Sequence, residues 1–85
     1  MKAKETFEKL GYTFSYNYNN TAMTYIKETR QWREEGRLYI EFDLESEDVS
    51  IYFEGYISGN LPAILTPKEI EIIYEQCKEL GWLED

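Results

Sequence analysis

The chain has 85 residues, one cysteine, no histidine and a net charge of −8 from 17 acidic and 9 basic side chains. This length accommodates one domain, residues 1–85. The single cysteine excludes an internal disulfide, and the lack of histidine excludes any site built on the commonest metal ligand. The charge balance favours a basic partner over free nucleic acid or an anionic membrane.

A short helix is predicted at the start of the chain. Ala3, Phe7 and Leu10 are spaced to share one helical face. Gly11 ends this helix cheaply because glycine adopts the left-handed conformation, and Tyr12 can then fold back towards Phe7.

The next stretch, YTFSYNYN, has an aromatic residue at every second position from Tyr12 to Tyr18. In a strand all four rings would lie on one face. That face could be a stacking platform for a ligand or part of an aromatic core. We interpret it as core, because large rings bury much area in a small domain.

A second strand is predicted over residues 21–28, after a turn at Asn19 and Asn20. Met23, Tyr25 and Ile26 cannot all face inward without a bulge, so its register stays open.

The hairpin end TRQWREEG follows, and we expect Gly36 to supply its positive φ. Within it, Trp32 could stack on a ligand, pair with arginine or cover the sheet edge, and we favour the structural role.

The third and fourth strands alternate regularly. One face is apolar, formed by Leu38, Ile40, Phe42, Leu44, Val49, Ile51 and Phe53. The other is acidic and tyrosine-bearing, formed by Tyr39, Glu41, Asp43, Ser50, Tyr52 and Glu54. Residues 55–65 are predicted to be irregular and to cross an end of the sheet.

The final helix has the clearest signals. Thr66 is predicted as its N-cap, with Pro67 at the first helical position and Glu69 completing a capping box. Gly81 is predicted to end it as Gly11 ends the first helix. The expected apolar stripe is Ile70, Ile73, Tyr74, Cys77 and Leu80.

These elements predict an α+β fold: a four-stranded antiparallel meander with the N- and C-terminal helices packed on its apolar face, in the order α-β-β-β-β-α. The charged start of the chain does not resemble a signal peptide, so we expect a cytoplasmic protein without a membrane span.

Motifs for catalysis, cofactor binding and metal binding are missing from the sequence, so we expect a non-enzymatic protein without a cofactor or metal. The acids of the two turns, Glu34, Glu35, Glu45, Glu47 and Asp48, are interpreted as solvated charge rather than catalytic pairs.

Cys77 is interpreted as a small buried hydrophobe rather than a reactive thiol, since no basic residue adjoins it on the apolar stripe.

The tyrosines of the acidic face suggest two classes of partner. Exposed rings on a sheet stack on bases in single-stranded RNA readers. Here the neighbouring carboxylates Glu41, Asp43 and Glu54 would repel a phosphate backbone. A protein partner fits better, because tyrosine is a favoured interface anchor and carboxylates attract a basic surface.

The segments FEKLGY, LYIEFDLE with VSIYF, and LTPKEIEIIYEQCKELGW resemble small uncharacterised proteins encoded by phages and prophages of Firmicute bacteria. This resemblance spans nearly the whole chain. It implies an accessory cytoplasmic protein of an infected or lysogenic host, and it carries over no catalytic residue.

The first hypothesis is therefore an accessory protein that binds a basic host protein, in its sharper form by imitating DNA phosphate groups. The predicted binding residues are Tyr39, Glu41, Asp43, Glu45, Glu47, Asp48, Tyr52, Glu54 and Tyr56. The alternative is a homodimer formed through an edge strand or through residues 55–65. A small molecule between helix and sheet is a third possibility.

Overall fold

The computed structural model describes residues 2–83, in which two helices flank a five-stranded antiparallel meander. The predicted α+β class is confirmed, and both helices contribute to one core on one face of the sheet. In chain order the elements are α1 (Lys2–Lys9), β1 (Thr13–Tyr16), β2 (Ala22–Gln31), β3 (Glu34–Asp43), β4 (Asp48–Gly55), β5 (Gly59–Leu61) and α2 (Pro67–Glu79). The fifth strand corrects the prediction that residues 55–65 are wholly irregular.

The register of the central strands is continuous. β2 pairs with β3 at every position from Ala22 to Gln31 without a bulge, which determines the register that the sequence leaves open. Met23 and Tyr25 face the helices, and Ile26 lies on the opposite face, where Tyr39 is its partner across the strands. An uninterrupted register requires this alternation, because neighbouring side chains of a strand point to opposite faces.

The opening aromatic stretch is divided between core and solvent. Tyr12 is buried and Phe14 is half-buried, but Tyr16 is 49% exposed and Tyr18 is 98% exposed. The prediction of four core rings is therefore wrong for the last two, since β1 ends at Tyr16 and the chain then turns away. The ring that Phe7 stacks on comes instead from β2: its centroid lies 3.9 Å from that of Tyr25.

Both helices end as predicted. Gly11 and Gly81 have positive φ, and the residue after each glycine donates its backbone N–H to a carbonyl five residues earlier, Tyr12 to Phe7 and Trp82 to Cys77. These bonds satisfy carbonyl groups that a helix end would otherwise leave free.

The start of α2 is also as predicted. The Thr66 hydroxyl accepts from Glu69 N at 3.2 Å, and Glu69 Oε1 accepts from Thr66 N at 2.8 Å. The other oxygen of Glu69 accepts from the Tyr12 hydroxyl, and Lys27 Nζ lies 3.9 Å from it. The capping carboxylate is thus buried and holds α2 against the end of α1.

The buried face of α2 differs from the predicted stripe. Ile70 and Tyr74 are exposed, whereas Ile72 and Gln76 are buried. A polar side chain can occupy this position because Gln76 Oε1 accepts from the Tyr25 hydroxyl at 2.6 Å. An apolar pattern alone could not reveal this pairing.

The β2–β3 hairpin also departs from expectation. Its two turn residues, Trp32 and Arg33, both have positive φ, which identifies a two-residue turn of the type that matches strand twist. Gly36 instead lies within β3 with an ordinary φ, buried against β4. A Cβ there would lie 2.4 Å from the Glu54 carbonyl oxygen and 2.6 Å from Phe53 Cζ.

We predict that Gly36→Ala lowers the free energy of unfolding by about 1–3 kcal/mol, because the added methyl group meets backbone that cannot move aside. Urea denaturation measures this change. Ser50→Ala, at an exposed position of β4, is the control and should change stability by less than about 0.5 kcal/mol. Equal effects of the two substitutions would contradict the packing argument.

We also predict a loss of stability at alkaline pH. Burial, together with the Glu69 hydrogen bond for Tyr12 and nearby negative charge for Tyr25, raises the pKa of both phenols above the ordinary value of 10. The contribution of these two phenols to the free energy of unfolding is complete below pH 10. It is lost as the pH rises further, because the unfolded chain then releases protons that the folded chain retains.

Urea denaturation between about pH 8 and pH 11.5 tests this expectation, with a slope of up to about 1.4 kcal/mol per pH unit for each buried phenol. Tyr12→Phe should flatten the decline, and Tyr18→Phe, at an exposed ring, should not. A decline that Tyr12→Phe leaves unchanged would refute the assignment.

Candidate functional site

The outer face of the sheet, the face away from the helices, carries the predicted binding residues of β3 and β4. Phe42 and Phe53 are fully buried beneath the helices, so their strand neighbours point outward. Tyr52 is 37% exposed. The outward residues at the positions predicted by alternation are Tyr39, Glu41, Asp43, Tyr52 and Glu54.

A stacked pair of tyrosines lies at the centre of this face. Tyr39 and Tyr52 are direct partners across β3 and β4, with ring centroids 4.7 Å apart and planes 13° from parallel. Partial burial, followed by the negative charge of Glu41, raises the pKa of Tyr52. The Tyr52 hydroxyl therefore remains protonated at neutral pH and can donate a hydrogen bond to a partner.

Five carboxylates lie between the stacked pair and the end of the β3–β4 hairpin, and we call them with the two rings the acidic half. Its members are Tyr39, Glu41, Asp43, Glu45, Glu47, Asp48 and Tyr52. Within residues 2–83 none of these carboxylates has a cationic side chain within 4.0 Å. The acidic half therefore presents uncompensated negative charge.

Two aspartates of the acidic half face each other. Asp43 and Asp48 are direct partners at the ends of β3 and β4. Asp43 Oδ1 accepts from Ser46 N at 3.0 Å and Glu45 N at 2.9 Å, and these bonds lower the pKa of Asp43. The turn thus keeps Asp43 ionised opposite another aspartate, an unfavourable arrangement across strands.

The other half of the outer face also carries a cation, Arg37, which the predicted acidic face does not include. Arg37 Nε donates to Glu28 Oε1 at 3.0 Å, and the Tyr56 hydroxyl donates to Glu28 Oε2 at 2.6 Å. The Tyr56 bond and then the Arg37 bond lower the pKa of Glu28. Tyr56 is exposed as predicted, but its hydroxyl is already engaged.

Glu34, the first residue of β3, and Trp32, in the hairpin turn, have structural roles. Glu34 accepts from Ile57 N at 3.1 Å, Ser58 N at 3.0 Å and Ser58 Oγ at 2.6 Å, and its contacts with Ser58 contribute most to lowering its pKa. The indole N–H of Trp32 donates to the Pro62 carbonyl at 2.7 Å. Glu34 is therefore a loop anchor rather than solvated charge, and the structural role favoured for Trp32 agrees with its contact.

The cavity that could hold a small molecule does not lie where it is expected from the sequence. A groove of about 310 Å³ lies between the two helices rather than between helix and sheet, bordered by Ala3, Thr6 and Ile72. On its rim Lys68 already donates to Glu71 at 3.1 Å. Cys77 lies away from this groove and is half-buried rather than fully buried as predicted, and burial raises the pKa of its thiol.

Over residues 2–83, no three potential metal ligands come together as a metal-binding group. Neither α1 nor α2 is long and apolar enough to span a membrane.

No protein-family model matches the chain, and no curated protein or solved structure is significantly similar to it. The resemblance to phage and prophage proteins therefore stays a prediction. The function must be inferred from the site itself.

We predict that Asp48→Asn raises the free energy of unfolding by about 0.2–1 kcal/mol at low salt, because it removes the repulsion from Asp43. Urea denaturation at low and high salt measures the gain, which should shrink as salt screens the charges. Glu54→Gln is the matched control on the same strand. Its cross-strand partner is Arg37, so it should give no gain. Equal gains would contradict the prediction.

Proposed function

We propose that this protein is a non-enzymatic accessory protein of a phage or prophage that binds a host protein through the acidic half. The partner presents a basic surface to the stacked tyrosines and their carboxylates. In the sharper form of the proposal, the carboxylates imitate DNA phosphate groups, and the partner is a nuclease or regulator with a basic cleft.

The observation that carries the proposal is the stacked, partly exposed pair of Tyr39 and Tyr52 beside uncompensated carboxylates. Stacking fixes each ring in position, so little side-chain entropy remains to be lost on binding. Rigid tyrosines are effective interface anchors. The carboxylates add attraction at a distance and select for a cationic partner.

The facing aspartates support the same class of partner. A lysine or arginine placed between Asp43 and Asp48 would compensate a repulsion that the free protein carries. A phosphate backbone placed there would add to that repulsion. The geometry thus favours a basic protein over nucleic acid.

Binding of a lysine-rich peptide, measured by isothermal titration calorimetry and backbone NMR, tests the proposal. Glu41→Lys with Asp48→Lys should weaken binding about tenfold or more. The matched control is Glu8→Lys with Glu75→Lys, on exposed positions of the helices; either pair changes the net charge from −8 to −4. The control pair should retain most of the affinity.

Peptide-induced shifts should centre on the amides of Tyr39 and Tyr52, and affinity should fall with salt. Equal weakening by both pairs would indicate attraction by net charge alone and would contradict a defined site. Affinity unchanged by reversal of Glu41 and Asp48 would also exclude this surface. Asp43 is left intact because its carboxylate holds the β3–β4 turn.

A further inference from the structure

The sheet has two edges, β1 and β5, and they differ in the backbone groups that they leave free. In an antiparallel pair, residues whose N–H and C=O groups bond to the neighbouring strand alternate with residues whose groups point away. The Asn17 N–H donates to the Ala22 carbonyl at 3.1 Å, which fixes this alternation for β1 and β2. The backbone groups of Phe14 and Tyr16 therefore point away from the sheet.

The hydrogen bonds between β2 and β3 lead independently to the same outward-pointing residues of β1. The Leu44 N–H donates to the Thr21 carbonyl at 2.8 Å, so odd-numbered residues of β2 bond to β3. The even-numbered residues must then bond to β1, and their partners are Thr13 and Ser15. Phe14 and Tyr16 therefore direct their N–H and C=O groups away from the sheet in both strand pairs' registers.

The β5 edge leaves fewer backbone N–H and C=O groups free for a further strand. It contains three residues, and its pairing with β4 leaves Asn60 as the one strand residue whose backbone groups point outward. The next residue in that direction, Pro62, has no N–H. A short strand followed by proline is a common way to prevent further pairing.

The β1 edge also lacks charge. Residues 10–26 contain no acidic or basic side chain, in a chain with a net charge of −8. Lys4 of α1 lies beside this edge, with its Nζ 5.0 Å from the centre of the Phe14 ring. Edge strands are usually blocked by charged side chains of their own, and β1 carries none.

We propose that β1 pairs antiparallel with β1 of a second copy of this chain, forming a twofold dimer with a continuous ten-stranded sheet. Phe14 lies opposite Tyr16 of the second copy, and Ser15 lies on the twofold axis. This register uses the outward backbone groups of Phe14 and Tyr16 in both copies. It also places a phenylalanine opposite a tyrosine on the helix side, which is a favourable pair across strands.

The charge distribution selects a second copy as the occupant. Two molecules of charge −8 repel each other, and at the β1 edge the strand residues themselves add no charge to that repulsion. The same edge offers no charge by which to select a basic or an acidic strand from another protein. The dimer does not depend on the proposed function, because it leaves the acidic half of each copy open.

Sedimentation equilibrium and amide hydrogen exchange test the dimer on the unmodified protein. Between about 10 μM and about 1 mM the mass should rise from 10.2 kDa towards twice that value. Over the same range the exchange of the Phe14 and Tyr16 amides should slow about tenfold or more, while that of Asn60 should not. A monomer throughout, or a dimer with unchanged exchange at Phe14 and Tyr16, would overturn the proposal.

Substitutions at Tyr16 provide the second test. Tyr16→Pro removes an outward N–H without removing a β1–β2 bond, and Tyr16→Lys places like charges at the contact. Each should reduce the association constant about tenfold or more. Tyr74→Lys, the same change at an exposed position of α2, is the matched control. Circular dichroism verifies folding, and association retained by both Tyr16 variants would refute the pairing.

Reversal of Glu41 and Asp48 separates the two proposals, since it should weaken peptide binding and leave the dimer intact. Salt separates them as well: it should strengthen the dimer of acidic chains and weaken the basic peptide complex.

Discussion

The unbroken register of β2, β3 and β4 is the constraint on which the rest of the structure depends. Because side chains alternate between faces, a shift of one residue would expose Phe42 and Phe53 and bury Tyr52. The same register determines which backbone groups each strand offers to its neighbours. It therefore fixes both the composition of the outer face and the free hydrogen-bonding groups at the β1 edge.

A small core forces the helices to be attached partly through polar groups. The phenol rings of Tyr12 and Tyr25 supply apolar area, and their hydroxyls reach Glu69 and Gln76 on α2. Each such bond satisfies a group that would be costly to bury alone, so the pairs favour one position of the helix over others. Glu69 has two roles. It caps the start of α2 through its bond to Thr66, and it holds α2 in place through its bond to Tyr12.

The sequence predicts most of this fold because its signals are local. Helix caps, glycine ends and two-residue alternation depend on neighbours within a few positions, and those predictions are confirmed at Gly11, Thr66 and β3. The errors arise where long-range contacts decide. Gln76 is buried because Tyr25, 51 residues away in the chain, bonds to it. Tyr16 is exposed because β1 ends there, which ring spacing alone does not reveal.

The candidate site is predictable to a similar extent. Alternation identifies Tyr39 and Tyr52 as outward residues, but it gives no information on the stacking of their rings. Residues 38–67 hold six acidic side chains and no basic one, and Arg37 lies just before them in the sequence. Antiparallel pairing nevertheless places Arg37 opposite Glu54 and beside Glu28. Which part of the face remains acidic is therefore a property of strand pairing.

Because of the distribution of charge, binding of a cation-rich partner and self-association are compatible in one protein. A uniformly acidic surface would favour the first and oppose the second, because like charges repel at every possible contact between copies. Here the uncharged stretch 10–26 includes the edge strand β1, while the carboxylates of Glu41 and Asp48 lie on the outer face of β3 and β4. A twofold axis perpendicular to the sheet keeps both outer faces on the same side. The dimer would thus present two acidic halves to one partner surface, and such paired sites can bind more tightly than either site alone.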